Sequence, residues 1–391
     1  MLDSYLSSHR EDILPHGLYI HIPFCRSKCD YCAFYSIAGT NLPIERFFKG
    51  LHKEISFYSQ RSSMANREFA TIFFGGGTPT MLSPSSLVEL LQLSRNIFDV
   101  DDNPEVSIEV NPATVDYNGL LTLRRGGFNR ISIGVQSLND EELRLLGRPH
   151  CVAEAEKTMR SARRAGFHNV SIDLMYGLPG QTPSQWRETL LRGLEMEPQH
   201  LSIYELTPEE GTPLARRLAE DVCHLPHEDE VLEMMDITVR ECTAMGILRY
   251  EISNYALPGF ECEHNRNYWR AYPYLGLGPG AVSRLNIRRA ANVADVNAYC
   301  ESIEQAGVVP VEEEVLDDET WFREAVIMGL RMLDGVSISE LHHRFGINAL
   351  TYYGEILSKL INDKFLVIDG DHLHLSPLGL PIANSIMARL V

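Results

Sequence analysis

The feature that most limits what this chain can fold into is a repeating rhythm between Leu18 and about Glu205: a short β-rich run, a turn, then a longer stretch of helical periodicity. The β-rich runs are Leu18–Ile22, Thr71–Phe74, Val106–Val110, Arg130–Val135, Asn169–Leu174 and Leu201–Tyr204. Between them the apolar spacing predicts helices such as Leu42–Ser59 and Pro84–Ile97. The second of these has Ser83 as N-cap and Pro84 in the first helical position, where its missing N–H costs nothing. Strands that alternate with helices pair in parallel, because each crossover returns the chain to the same end of the sheet. The expected architecture is α/β, a partial, open (β/α)6 TIM-like barrel over 17–213, preceded by an N-terminal tail at 1–16.

Beyond Thr207 the rhythm changes. Residues 214–318 read as a separate helical, turn-rich and aromatic region, and 319–391 as helices leading into Phe365–Leu375. There Asp369-Gly370 between alternating apolar residues signals a hairpin, so the C-terminal region is expected to be α+β and winged-helix-like. Such modules often read DNA, but residues 341–391 carry four Lys or Arg against four Asp or Glu. The whole chain has 35 basic against 53 acidic side chains, a formal charge of -18. Phosphate binding draws on clustered basic residues, so nucleic acid is not an expected partner.

No segment has the roughly 18 consecutive apolar residues of a spanning helix. The first residues carry acids and no uninterrupted apolar stretch, unlike a secretory or transit peptide. A cytoplasmic location is expected, and peripheral attachment to a membrane is compatible with it.

Three of the eight cysteines fall in Cys25-Arg-Ser-Lys-Cys29-Asp-Tyr-Cys32, directly after the first strand; the other five are scattered. Three thiolates on one short loop can wrap a single cubane and leave its fourth iron without a protein ligand, which is where a metal centre accepts a small molecule. Zinc would call for paired knuckles and a fourth Cys or His. Further strand ends supply Phe74-Gly-Gly-Gly-Thr78-Pro, Glu109, Gln136 and Asp173. Each alone reads as a turn or a cap, but barrels place their chemistry at the C-terminal ends of successive strands.

Together these sequences resemble radical-SAM enzymes. Within them, nearly the whole chain is similar to oxygen-independent coproporphyrinogen III oxidases and their heme-chaperone relatives. The resemblance implies a radical-SAM barrel with a 4Fe-4S cluster on Cys25, Cys29 and Cys32, and S-adenosylmethionine (SAM) chelating the open iron. It implies cofactor contacts from Tyr19, Gly76, Gly77, Thr78, Glu109, Gln136, Arg148 and Asp173, and reductive cleavage of SAM to a 5'-deoxyadenosyl radical. Asn111-Pro-Ala113-Thr114 departs from the Asn-Pro-Gly-Thr of the chaperone relatives.

Two features favour the carrier over the oxidase. Phe34 stands where oxidase-type sequences have a further cysteine, and 18 residues precede Tyr19 where the oxidases have a longer segment. In addition, His264-Asn-Arg-Asn-Tyr-Trp269 resembles the HNxxYW motif of the chaperones, making His264 a candidate heme ligand. The alternative is that His264, Tyr268 and Trp269 pack two domains together. Cys262 lacks the following proline of a heme-regulatory motif and ranks lower, and His342, His343, His372 and His374 are expected at the surface. The resemblance thus implies a heme-binding carrier that delivers heme to membrane-bound hemoproteins, with oxidative decarboxylation of coproporphyrinogen III as the runner-up. A tRNA-modifying relative would call for a basic appended domain or more cluster cysteines. No catalytic residue is assigned, and homodimer formation is left open.

Overall fold

A computed structural model of the chain describes residues 14–58, 67–306 and 311–391. Most of the expected N-terminal tail and Ser59 of the first helix lie outside the described residues. The barrel half runs β1 (His16–Ile22), β2 (Phe24–Cys25), β3 (Ile37–Ala38), α1 (Ile44–Phe57), β4 (Glu68–Gly76), α2 (Pro84–Ile97), β5 (Asp99–Val110), α3 (Tyr117–Arg125), β6 (Arg130–Gln136), α4 (Asp140–Leu145), α5 (Val152–Arg164), β7 (Asn169–Tyr176), α6 (Pro183–Glu195) and β8 (His200–Glu205). Strands β1, β4, β5, β6, β7 and β8 pair in parallel in that order, so all six expected strands are present. The Ser83 hydroxyl caps α2 by accepting the Ser86 N–H.

Strand periodicity divides these side chains cleanly. Leu18, Ile20, Ile72, Phe74, Ile108, Ile131, Ile133, Ile172, Leu201 and Ile203 face the helices and form one large apolar core. The alternate positions, on the other face, carry Tyr19, Thr71, Phe73, Ser107, Glu109, Arg130, Ser132, Asp173, His200 and Ser202. The lumen is therefore polar where the outer face is apolar. A side chain kept polar inside a barrel is there for bonding or for function, because burial without a partner costs free energy.

The chain continues through α7 (Pro213–Ala219), α8 (Glu228–Ala244), β9 (Leu248–Arg249), β10 (Asn254–Ala256), α9 (Glu263–Trp269), β11 (Tyr274–Leu277), β12 (Val282–Leu285), β13 (Arg288–Asn292), α10 (Val296–Ala306) and β14 (Val311–Val315). This stretch, expected to stand apart, extends the barrel sheet at both edges. Strand β10 adds antiparallel to β8 and β11 adds parallel to β1, giving a twelve-stranded open sheet in which β1 and β8 never meet. Helix α8 packs on α6, where the Trp186 indole donates to the Thr238 hydroxyl at 2.9 Å. The buried Glu54 of α1 accepts bonds from the Gly278 N–H, the Asn292 amide and the Tyr299 hydroxyl at 2.7–2.9 Å. Short strands of two to five residues carry too little alternation to reveal such edge additions in sequence.

Last come α11 (Asp318–Gly329), β15 (Val336–Ser337), α12 (Ile338–Phe345), α13 (Ala349–Asn362), β16 (Leu366–Asp369), β17 (His372–Leu375) and α14 (Ala383–Met387). Their three-stranded sheet, ordered β15-β17-β16, packs with the helices around a second apolar core that includes Phe322, Leu341, Leu357 and Leu373. Asp369 pairs with His372, so the Gly370-Asp371 turn makes the hairpin. Among the described residues no helix is long and apolar enough to cross a membrane.

Candidate functional site at the barrel mouth

The cysteine loop is pinned at both ends. Strands β2 and β3 pair in parallel across its base, and the Ile37 N–H donates to the Pro23 carbonyl at 2.7 Å. Its middle is clamped by Asp30, whose N–H reaches the Leu146 carbonyl, whose carbonyl accepts from the Leu214 N–H, and whose carboxylate pairs with Arg217 at 3.3 Å. Cys25, Cys29 and Cys32 are all unbridged and line one wall of a cavity of about 490 Å³. Among the described residues no three Cys, His, Asp or Glu converge on a single-ion position. Three thiols on one loop beside open space are the donor set that a cubane takes, each thiolate binding a different iron.

Beside the cysteines, the cavity is walled by Gly76, Gly77, Thr78, Glu109, Gln136, Arg148 and Asp173, so seven of the eight residues expected to contact the cofactor meet there. The glycines are demanded by contact. A Cβ on Gly77 would lie 2.7 Å from the Phe24 carbonyl oxygen, and one on Gly76, held at φ +114°, would lie 2.5 Å from the His21 ring. The loop they form is stitched to the cysteine segment by Gly77 N–H to Ile22 carbonyl and Thr78 N–H to Phe24 carbonyl bonds. Gln136 sits at φ +67° on a β6–β7 register shift, the kind of bulge that re-aims a side chain.

The electrostatics suit a cationic, hydroxyl-bearing ligand. Burial, and then the charge of Asp173, push the Glu109 carboxyl up to about 8, while one of its oxygens accepts the Gly76 N–H at 3.1 Å. Burial also raises Asp173, which accepts from the Ser132 hydroxyl at 2.9 Å. Arg148 donates to Cys29 Sγ at 3.3 Å and to the Asn111 amide oxygen at 2.6 Å, and its buried Nε–H has no protein partner.

Two of the expected residues lie away from the cavity wall. Tyr19 lies a layer below the cavity: its ring stacks on Phe73 and its hydroxyl bonds His21 Nδ1 at 3.0 Å, so it is not part of the wall. His264 is 1% exposed and plugs the opposite end of the lumen. Its Nδ1 bonds the Thr71 hydroxyl at 2.7 Å and its Nε2 bonds the Tyr268 hydroxyl at 3.2 Å, with Phe73 stacked at 5.0 Å. Burial, and then Arg130, hold its pKa down at about 3. Both ring nitrogens are thus hydrogen-bonded within the protein, as the packing alternative expects. Cys262 is fully buried beside Glu105. His342, His343 and His372 are exposed, and His374 is half-buried.

One residue escaped the sequence reading. Asn111, at the end of β5, bridges Thr78 and Arg148 across the cavity wall. Its signal was the Asn-Pro at a strand end, which reads as an ordinary turn.

The radical SAM superfamily profile matches residues 19–192 and the HemN C-terminal domain profile matches 316–382. The heme chaperone HemW of Lactococcus lactis is 32% identical over 96% of this chain and 97% of its own length. That of Bacillus subtilis is 31% identical over 95% and 98%. Among solved structures, the coproporphyrinogen III oxidase HemN of Escherichia coli, described as a radical SAM enzyme, superposes with a TM-score of 0.83 at 26% identity, covering 96% of this chain and 90% of that one.

Proposed function

The chain belongs to the HemW family of heme chaperones within the radical SAM superfamily, and from that premise we propose that it binds heme and hands it to membrane-bound hemoproteins. The observation that carries the cofactor part is the shared cavity, in which three cysteines face Glu109, Gln136, Arg148 and Asp173. Cys25, Cys29 and Cys32 would hold a 4Fe-4S cluster, and the opposite wall would hold SAM. Bound together, those groups supply one-electron cleavage of a sulfonium bond. For the chain's own part, Glu109 and Asp173 offer carboxylates to an ammonium or to ribose hydroxyls, Gly76 and Gly77 admit the ligand to the backbone, and the Arg148 guanidinium sets a positive charge on the same wall for a carboxylate.

With His264 withdrawn into the lumen, the place for heme moves to the cavity mouth. Phe34 is 74% exposed and Tyr204 is 42% exposed, both on the cavity rim, and the exposed Arg26 and Lys28 share that rim. Flat aromatic faces with two cations beside them complement a porphyrin plane with two carboxylates, in a chain that is otherwise strongly acidic. Phe34 also occupies the position at which the oxidase reading would want a cysteine.

The test is a heme titration of the anaerobically reconstituted full chain, alongside incubation with SAM, reductant and coproporphyrinogen III. Saturable heme binding that weakens at least fivefold in Phe34→Ser, with no decarboxylated porphyrin, is the expected result. Multiple turnovers of decarboxylation would make the protein an oxidase, and absence of heme binding would remove the carrier reading.

A further inference from the structure

A closed path of hydrogen bonds joins two of the three cysteines. The Thr78 hydroxyl donates to Cys25 Sγ at 3.7 Å, and the same oxygen accepts from Asn111 Nδ2 at 2.5 Å. Asn111 Oδ1 in turn accepts from Arg148 Nη2 at 2.6 Å, and Arg148 Nη1 donates to Cys29 Sγ at 3.3 Å. A further bond from Arg148 Nη2 to the Gly134 carbonyl at 2.6 Å holds the guanidinium in place.

The amide of Asn111 has one workable orientation. A guanidinium has no acceptor, so the amide oxygen must face Arg148 and the amide N–H must face Thr78. Because that N–H fills a lone pair of the Thr78 hydroxyl, the hydroxyl proton is directed to sulfur. Asn111 therefore sets the direction of both donors, although it touches neither cysteine. Cys32 is served differently, by the Phe34 backbone N–H.

We propose that Asn111 is a positioning residue that keeps one donor on Cys25 and one on Cys29, and so raises the reduction potential of the cluster those cysteines hold. Hydrogen bonds to cluster sulfurs stabilise the more negative, reduced state, and second-sphere residues tune a metal centre through its ligands. The inference rests on the cluster reading above and adds to it a residue outside the ligand set.

Asn111→Asp separates this from a merely structural role. The carboxylate keeps the Arg148 bond, but it accepts the Thr78 proton instead of directing it to Cys25, and it brings a negative charge towards the cluster. Thr78→Val removes the Cys25 donor alone at nearly constant volume. The measurement is an EPR-monitored redox titration of the anaerobically reconstituted full chain, without substrate. For Asn111→Asp the ratio of reduced to oxidised cluster at fixed potential should fall about tenfold, equivalent to about 59 mV for a one-electron couple. Thr78→Val should shift it in the same direction by less, and it decides the matter alone if the Asp variant assembles no cluster. An intact four-iron cluster with an unchanged or more positive potential in Thr78→Val overturns the proposal. A parent protein with no four-iron absorbance would instead overturn the cluster assignment beneath it.

Discussion

The two ends of the barrel lumen are built from the same kinds of residue and do opposite things. At the mouth, Glu109, Asp173, Gln136 and Arg148 surround open space, and Arg148 Nε has no protein partner. At the closed end, His264 spends both nitrogens on Thr71 and Tyr268, and His200 spends both on Ser171 and Tyr250. What marks a ligand site in this fold is thus open space beside polar groups; polarity alone does not distinguish the ends.

The sharpest way to break that contrast is Cys29→Ala. It should abolish the iron-sulfur absorbance of reconstituted protein almost completely; retained absorbance would take the mouth out of the comparison. Next in size is His264→Ala, which removes a stacked, doubly bonded ring from a filled lumen. By the usual cost of large-to-small core changes it should lose about 2 to 4 kcal/mol of stability, visible as a lower denaturation midpoint. Heme affinity should stay within twofold of the parent, and a large loss would return His264 to the heme site.

Proton linkage should separate the ends by sign. The Glu109 carboxyl, raised from 4.5 to about 8, contributes stability that is complete below about 4.5 and is lost as pH rises through 8. His264, lowered from 6.5 to about 3, contributes stability that is complete above about 6.5 and is lost as pH falls through 3. A cationic ligand at the mouth needs Glu109 ionised, so SAM affinity should improve up to about tenfold per pH unit between 6 and 8. Glu109→Gln should flatten that slope, and a parent affinity independent of pH would show that the ligand avoids this carboxylate.

The smallest effect concerns the turn after β5. Ala113 is held at φ +63°, in the left-handed region that favours glycine. Ala113→Gly should stabilise the protein by about 1 kcal/mol, with no change at the cavity.

How much of this was legible depended on distance along the chain. The six strands could be read because residues such as Leu18, Ile20 and Ile22 alternate with their neighbours, and the cysteine loop because its three ligand candidates lie within eight positions. His264 left two readings open because imidazole is equally suited to metal and to hydrogen bonding, and its partner Thr71 lies 193 residues away. For Tyr19 a motif gives the neighbours along the chain but not the depth at which its hydroxyl finds His21. Asn111 stood in a visible motif, but its role could not be read, because that lies in Thr78 and Arg148 converging on it from separate strand ends.

Helix α9 deserves a last consequence. Its first residues fill the base of the lumen through His264, while its last, Trp269, and the two residues that follow the helix anchor the C-terminal part: Arg331 lies 4.4 Å over the Trp269 ring, and Arg344 bonds the Arg270 and Ala271 carbonyls. During synthesis the six barrel strands are complete some sixty residues before His264 leaves the ribosome, a wait of several seconds at about 5 to 20 residues per second. The strands are therefore made before the side chain that covers Thr71 and Phe73, and the base of the lumen closes only with the arrival of a seven-residue helix.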